Sequence, residues 1–200
     1  MSRDFFKGLL VGVTAVTLVV LASGAGFLAR IRTSSVPHVG SVKLPSLVLP
    51  SDLQVDYEWK LRDMKGQQLS LSSFRDKVVL LTFWDPECQH CIEELPSLSA
   101  SFAKVRDSDI AYVCVALSGS PESLSLLVQN QGIALPFFFS VGPPPKCFST
   151  STIPVTYLLT RQGRVEWRND GAANWDDDRF VAYLKALATR RDSAAFSRAQ

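Results

Sequence analysis

Val78-Val79-Leu80-Leu81-Thr82-Phe83-Trp84-Asp85-Pro86-Glu87-Cys88-Gln89-His90-Cys91 carries an apolar run into a pair of cysteines separated by two residues. A short β-branched and apolar run bounded by charge and a turn reads as a strand buried on both faces, so Val78 to Phe83 is expected at a central position in a parallel sheet. Ile92 to Lys104 reads as the next helix. Cys88 then lies at the helix N-terminus, where unpaired N–H groups and the helix dipole favour an anion. Its thiolate should therefore form below the free-cysteine pKa of about 8.5. Cys91, one turn further in, is expected to be more buried and placed to resolve a mixed disulfide. This is the layout of a thiol-disulfide redox centre.

On either side of this stretch, strand and helix signals alternate. Val55-Asp56-Tyr57-Glu58-Trp59-Lys60-Leu61 has period-two apolarity, Asp63-Met64-Lys65-Gly66 supplies a turn, and Gln67 to Leu71 extends again, which predicts a hairpin. Ile110 to Leu117 reads as a second apolar strand, Pro121 to Gln131 as a helix with proline in its first turn, and Phe137 to Phe139 as a short strand. Val155 to Leu159 and Arg164 to Arg168 flank Arg161-Gln162-Gly163, a turn with glycine where positive φ is expected, so they form an antiparallel hairpin. Phe180, Leu184 and Leu187 recur at helical spacing. The pattern predicts an α/β fold with a central mixed sheet and helices on both of its faces, its first part wound right-handedly.

The 200 residues are 46% hydrophobic, enough for one ordinary domain, but part of that apolar content lies at the N-terminus. Gly8 to Ala29 holds no charged residue, Lys7 and Arg30 bracket it, and its length suffices to cross a hydrocarbon core roughly 30 Å thick. Residues 1–30 are therefore read as a transmembrane anchor or signal-anchor. The competing reading is a cleaved signal peptide with Arg3 and Lys7 as its basic region and Ala22-Ser23-Gly24-Ala25 as small residues, but such apolar cores span only about 7–15 residues. Arg3 and Lys7 face Arg30 and Arg32, so charge alone hardly decides orientation. A short N-terminal arm before a large domain fits export of that domain, which is expected outside the cytoplasm. Residues 31–51, with Pro37, Gly40, Pro45 and Pro50, read as a flexible tether, residues 52–189 as the domain, and residues 190–200 as a fraying tail. The net charge of +2 is close to balanced and no basic cluster is interleaved with aromatics, which argues against nucleic acid as a partner.

From about Leu49 to Ala188 the chain resembles the thioredoxin superfamily, in particular its membrane-anchored TlpA/ResA-like branch of extracytoplasmic thiol-disulfide oxidoreductases. The resemblance rests on Phe83-Trp84 before the motif, Cys88-Gln89-His90-Cys91 itself, Pro96 five residues after the second cysteine, Ile153-Pro154 opening a strand, and Gly171 after the hairpin. A lone C-x-x-C would be weak evidence, but these features in order are specific. The resemblance implies a thioredoxin-like fold with an N-terminal hairpin extension, Cys88 as attacking and Cys91 as resolving cysteine, and no cofactor beyond the Cys88–Cys91 disulfide. It also implies that Pro154 follows a cis peptide bond, in a loop that faces the disulfide and presents backbone to an incoming substrate strand. Trp84, Gln89, His90 and Ile153 are the accompanying motif positions.

Glu94, three residues after Cys91, matches an acidic position of this branch. One turn along the helix, a carboxylate with a raised pKa could move protons to and from the resolving thiol. Thioredoxin itself places a buried aspartate two residues before the tryptophan; here that position is Thr82, which removes the usual proton acceptor. His90 resembles the histidine of the oxidant DsbA and could support the Cys88 thiolate, while Asp85 and Glu87 would oppose it. The competing reading of His90 is a solvent-facing helix residue. Cys114, inside an apolar strand, reads as an inert core thiol. Cys147 stands before the Ile153-Pro154 loop and could approach the redox face, and a Cys114–Cys147 disulfide is the alternative for that pair. A zinc site would want a second paired ligand set, and His38 and His90 are the only histidines.

The expected function is thiol-disulfide exchange at the cell membrane with the catalytic domain on the extracytoplasmic side, most simply as a reductase of exported cysteine-containing clients of the cytochrome c maturation type. By resemblance its electrons come from a membrane thiol-electron donor of the CcdA/DsbD kind. The rivals are a DsbA-like oxidant or isomerase, and a thioredoxin-like metallochaperone binding copper(I) through soft thiolates. A peroxidase of the peroxiredoxin type lacks its Pro-x-x-x-Thr-x-x-Cys stretch here.

Overall fold

A computed structural model describes residues 55–190. The expected anchor, the tether and most of the expected tail lie outside the described residues. No helix among the described residues is long and apolar enough to cross a membrane.

One seven-stranded mixed sheet organises the described chain, in the order β2-β1-β5-β4-β3-β6-β7. Its strands are β1 (Lys60–Asp63), β2 (Gln68–Ser70), β3 (Val78–Trp84), β4 (Ile110–Ala116), β5 (Phe137–Ser140), β6 (Val155–Leu159) and β7 (Val165–Asp170). The central strand β3 is buried at every position, pairing in parallel with β4 and antiparallel with β6. Such two-sided burial is what its unbroken apolar run requires.

The helices are α1 (Gln89–Val105), α2 (Pro121–Gln131) and α3 (Asp178–Thr189). Their start and stop signals are local. Pro121 opens α2 behind a Ser120–Ser123 capping box, and Gly132, at φ 64°, closes it. Asp177 caps α3 by accepting from the backbone N–H groups of Arg179 and Phe180. Pro96 falls inside α1, where it removes one helical N–H donor.

The expectation of helices on both sheet faces is corrected. Cys91, Leu95 and Leu98 of α1, Leu124 of α2, and Phe180, Leu184 and Leu187 of α3 all belong to one core with Val78, Leu80 and Trp84 of β3. The reason is topological. The chain steps from β3 to β4 to β5 in one direction across the sheet, and right-handed crossovers taken in the same direction place both connecting helices on the same face. The opposite face, with Val79, Leu81 and Phe83, is covered by Val55, Tyr57 and Trp59 ahead of β1, by Leu71 after β2, and by Phe148 from a short 3-10 turn, Lys146–Phe148.

The predicted N-terminal hairpin is present as β1 paired antiparallel with β2, but its first strand is shorter than the alternation suggests. Val55, Tyr57, Trp59 and Leu61 are buried with exposed residues between them, as their alternation requires, yet the ladder begins only at Lys60. Asp56 interrupts it: its side chain accepts from the Glu58 N–H at 2.9 Å and its carbonyl from the Trp59 N–H at 3.4 Å, forming a turn. The buried side chains then act as a cover. Trp59 stacks on Phe83 with ring centroids 5.8 Å apart and donates its indole N–H to Ser140 Oγ at 3.0 Å. Tyr57 lies under Gly163 in the β6–β7 turn, with Arg75 stacked over its ring at 4.0 Å.

Gly163, at φ 76°, would bring an added Cβ within 3.0 Å of three Tyr57 atoms. Gly163→Ala combines left-handed strain with overpacking and is expected to cost about 2–4 kcal/mol, read as a lowered denaturant midpoint at unchanged slope.

Candidate active site

The redox pair sits where β3 hands over to α1. Asp85 organises the connection: its carboxylate accepts from the Glu87 N–H at 2.8 Å and its carbonyl from the Cys88 N–H at 3.0 Å. The Asp85 charge, expected to oppose a thiolate, is thus engaged with the backbone of its own loop. Cys88 is the N-cap residue of α1, and its Sγ accepts the Cys91 N–H at 3.2 Å. A sulfur there receives one of the helix's otherwise unpaired donors and faces the positive end of the dipole, which favours its ionised form on reduction. Cys88 is half-buried and Cys91 fully buried, the two are joined as a disulfide, and their Cα atoms are 5.2 Å apart.

The Ile153–Pro154 peptide is cis. Phe83 pairs with Val155, so Pro154 stands beyond that register at the end of the sheet where β3 enters the redox loop. Pro154 is buried, its carbonyl accepts the Gly171 N–H at 2.8 Å, and Ile153 packs against the same core as Cys88. On the other face of this edge, Phe83, Leu117, Pro144, Pro145, Lys146 and Phe148 border a cavity of about 280 Å³. Leu117 is 47% exposed, unusual for so large an apolar side chain here.

Glu94 is 0% exposed, wholly enclosed although it is a carboxylate on a helix. Its Oε2 accepts the Trp175 indole N–H at 2.9 Å and the Ala173 N–H at 3.2 Å, while Oε1 is buried without a hydrogen-bond partner among the described residues. Burial pushes the Glu94 carboxyl up to about 8, against the pull of those two donors. It lies three residues after Cys91, on the same side of α1. Trp175 was not singled out by sequence reasoning; its tryptophan in an irregular stretch between a strand and a helix was the available signal.

Thr82 fills the position thioredoxin gives to aspartate, and its hydroxyl pairs with that of Thr156 across the β3–β6 ladder at 3.0 Å. Trp84 lies wholly in the core, its ring 5.1 Å from that of Phe137, so it supports the loop from below. His90 lies at the surface, as its competing reading had it. It is 79% exposed, with Nδ1 3.3 Å from Glu93 Oε2, and Gln89 Nε2 donates to Glu93 Oε1 at 3.0 Å. Glu93 thereby organises both residues inside the motif, and these contacts, Gln89 first, lower its own pKa.

Cys114 and Cys147 are both free thiols, but Cys114 is buried in the core under the helices and Cys147 packs against the core of the opposite sheet face. The intervening sheet excludes the Cys114–Cys147 disulfide. Burial, then the Glu94 charge, raises the Cys114 pKa well beyond the ordinary thiol range, as an inert core thiol requires. Among the described residues no three His, Cys, Asp or Glu side chains come together as a metal site.

Residues 54–168, more than half of the chain, match the model of the AhpC/TSA family. The chain belongs to the AhpC/TSA family. The chain is 24% identical over 106 residues to the thiol-disulfide oxidoreductase ResA of Bacillus subtilis, a match covering 52% of this chain and 59% of that protein. It is 24% identical over 144 residues to ResA of Oceanobacillus iheyensis, covering 70% of this chain and 74% of that one. Among solved structures, a thiol:disulfide interchange protein DsbE from Chlorobium tepidum superposes with a TM-score of 0.58 at 20% identity, covering 70% of this chain and 99% of that chain. The fold is therefore the thioredoxin-like one that the motif order implied.

Glu94 gives this AhpC/TSA domain a pH-dependent stability of definite sign. An unfolded glutamate loses its proton near pH 4.3, whereas the folded one holds it to about 8. Between those limits the unfolded chain binds fewer protons, so the stabilisation present below about pH 4.3 is lost as pH rises through about 8. Urea unfolding of the disulfide form is expected to give a wild type weaker by a few kcal/mol at pH 8.5 than at pH 5, and a Glu94→Gln variant without most of that difference.

Proposed function

We propose that this chain is a thiol-disulfide oxidoreductase of the ResA/DsbE type, tethered to the cell membrane by residues 1–30 with its domain on the extracytoplasmic side, where it reduces disulfides of exported client proteins. One observation carries the reading: a half-buried cysteine caps a helix and is bonded to a fully buried one, with a buried carboxyl one turn further along that helix. The names of the relatives, thiol-disulfide oxidoreductase and thiol:disulfide interchange protein, support the same chemistry.

The cycle starts from the reduced dithiol. The Cys88 thiolate attacks one sulfur of a client disulfide, a mixed disulfide forms, and the other client sulfur leaves as a thiolate. Cys91 loses its proton, attacks Cys88 Sγ, and releases the second client sulfur, so two electrons pass to the client and the Cys88–Cys91 disulfide remains. Glu94 serves as the buried acid-base group for the Cys91 proton. The Ile153–Pro154 loop, which packs in the same core as Cys88 and Cys91, would receive the client segment, and the cavity bordered by Phe83, Leu117 and Lys146 on the other sheet face offers a further contact for it. No cofactor beyond the disulfide is required. A membrane thiol-electron donor of the CcdA/DsbD kind restores the dithiol, and cytochrome c maturation supplies a fitting class of client.

His90, exposed and with Nδ1 3.3 Å from Glu93 Oε2, is engaged by that carboxylate, which supports a reductant over a DsbA-like oxidant. The reduction potential tests this. Equilibration against thiol buffers is expected to give a value near thioredoxin's, about −270 mV, and a value near −120 mV would assign the chain to disulfide donation instead. Cys91→Ser should accumulate a mixed disulfide with a client-like peptide, while Cys88→Ser should lose turnover altogether; loss of neither trapping nor turnover on removing Cys88 would end the proposal.

A further inference from the structure

The two hydrogen bonds made by the Glu94 carboxyl reach the same oxygen. Oε2 accepts from Trp175 Nε1 and from the Ala173 amide, and both groups can only donate. An oxygen occupied by two N–H donors is not the one that carries the proton of a neutral carboxyl. That proton belongs on Oε1, which is buried and has no other partner among the described residues.

Trp175 is itself held from several sides. Its ring stacks on Trp167 at 6.1 Å with the planes 2° apart and packs on Phe180 at 5.2 Å. Its backbone N–H donates to Ser97 Oγ at 3.2 Å, and the Ser97 hydroxyl donates to the Glu94 carbonyl at 2.8 Å, with the Ala173 carbonyl at 3.3 Å. The same segment reaches the proline loop, where Gly171 N–H donates to the Pro154 carbonyl, and it is tied to the far end of α1 by Lys104, 2.8 Å from Asp176 and 2.9 Å from Asp178. Residues 171–178 therefore bind the redox helix and the proline loop into one unit, with the Trp175 indole as its contact to the buried acid.

We propose that Trp175 is a positioning residue for the redox pair: its indole N–H, with the Ala173 amide, orients Glu94 so that the carboxyl proton is held on Oε1 and thereby sets the pH range over which the Cys91 thiol exchanges its proton. This rests on the role given to Glu94 above. The ionisable groups around Glu94 are Cys91, one turn earlier on α1, and Cys114, from β4, whose thiol feels its charge. The exposed His90–Glu93 pair of α1 and the Lys104–Asp176–Asp178 cluster are engaged among themselves.

The test is the pH profile of thiol alkylation of the reduced full chain in wild type, Trp175→Phe, Glu94→Gln and the double variant, with near-UV circular dichroism reporting the fold. Phenylalanine keeps an aromatic ring and removes the donor that favours ionised Glu94, so the Glu94-dependent limb should move to higher pH by about one unit. The shift should vanish in the Glu94→Gln background. If Trp175→Phe does not fold, Ser97→Ala, which loosens the Trp175 backbone, should move the limb in the same direction by less. In the wild type, the Trp175 indole N–H resonance should titrate together with that limb and lose the titration in Glu94→Gln. A Glu94→Gln profile identical to wild type would overturn the role of Glu94 itself. A changed Glu94→Gln profile beside an unshifted Trp175→Phe, or a Trp175→Phe shift that persists without Glu94, would overturn the positioning role alone.

Discussion

The structure depends on the complete burial of β3. Its seven residues lie at the centre of the sheet, and their alternation divides the apolar side chains between two cores: Val78, Leu80 and Trp84 under the helices, Val79, Leu81 and Phe83 under the N-terminal cover. A strand of this kind satisfies its backbone only if both edges are paired, and β4 and β6 do so in opposite senses. The parallel partner forces a crossover helix, so the chain leaving β3 must turn at once into α1, with Cys88 at the turn. The antiparallel partner brings the start of β6, and with it Pro154, to the same end of the sheet. The redox pair and the proline loop are thus neighbours because of how one strand is paired.

A second constraint is the buried carboxyl. An acid removed from water is held neutral over much of the physiological pH range, and a neutral carboxyl still requires satisfied oxygens. Here the requirement is met on one side only, by a tryptophan and an amide from the segment between β7 and α3. That segment lies some eighty residues from Glu94 in sequence yet packs directly on its helix. It converts a stretch without regular structure into the support of the redox helix, and it leaves one carboxyl oxygen free of donors on the helix that carries Cys91.

Much of the fold was legible because its signals are local. The apolar run of β3, the Pro121 start of α2, the Arg161-Gln162-Gly163 turn and the spacing of Phe180, Leu184 and Leu187 each depend on short-range geometry, and each element is present. Alternation in Val55 to Leu61 correctly marked which residues are buried, but not that regular pairing starts only at Lys60, because a period of two reports burial and is silent about pairing. That the helices gather on one face, and not on both as expected, lay outside any local pattern, since the order of strands in space decides it. The partner of Trp175 was illegible for a similar reason: a tryptophan in an irregular stretch signals burial, but nothing within that stretch says which acid it will meet.

By itself the sequence determined the chemistry and its local setting: two cysteines spaced by one helical turn, the first capping that helix, after a strand that had to be buried. Those outcomes arise from neighbours along the chain, through backbone geometry and the exclusion of apolar side chains from water. The tertiary structure alone decided the environment of each group. It turned His90 outward to Glu93, placed Cys114 and Cys147 on opposite sides of the sheet, and enclosed Glu94 against Trp175. Burial and hydrogen bonding of a charge are properties of everything packed around it, contributed here by residues distant in sequence, so no local pattern could have carried them.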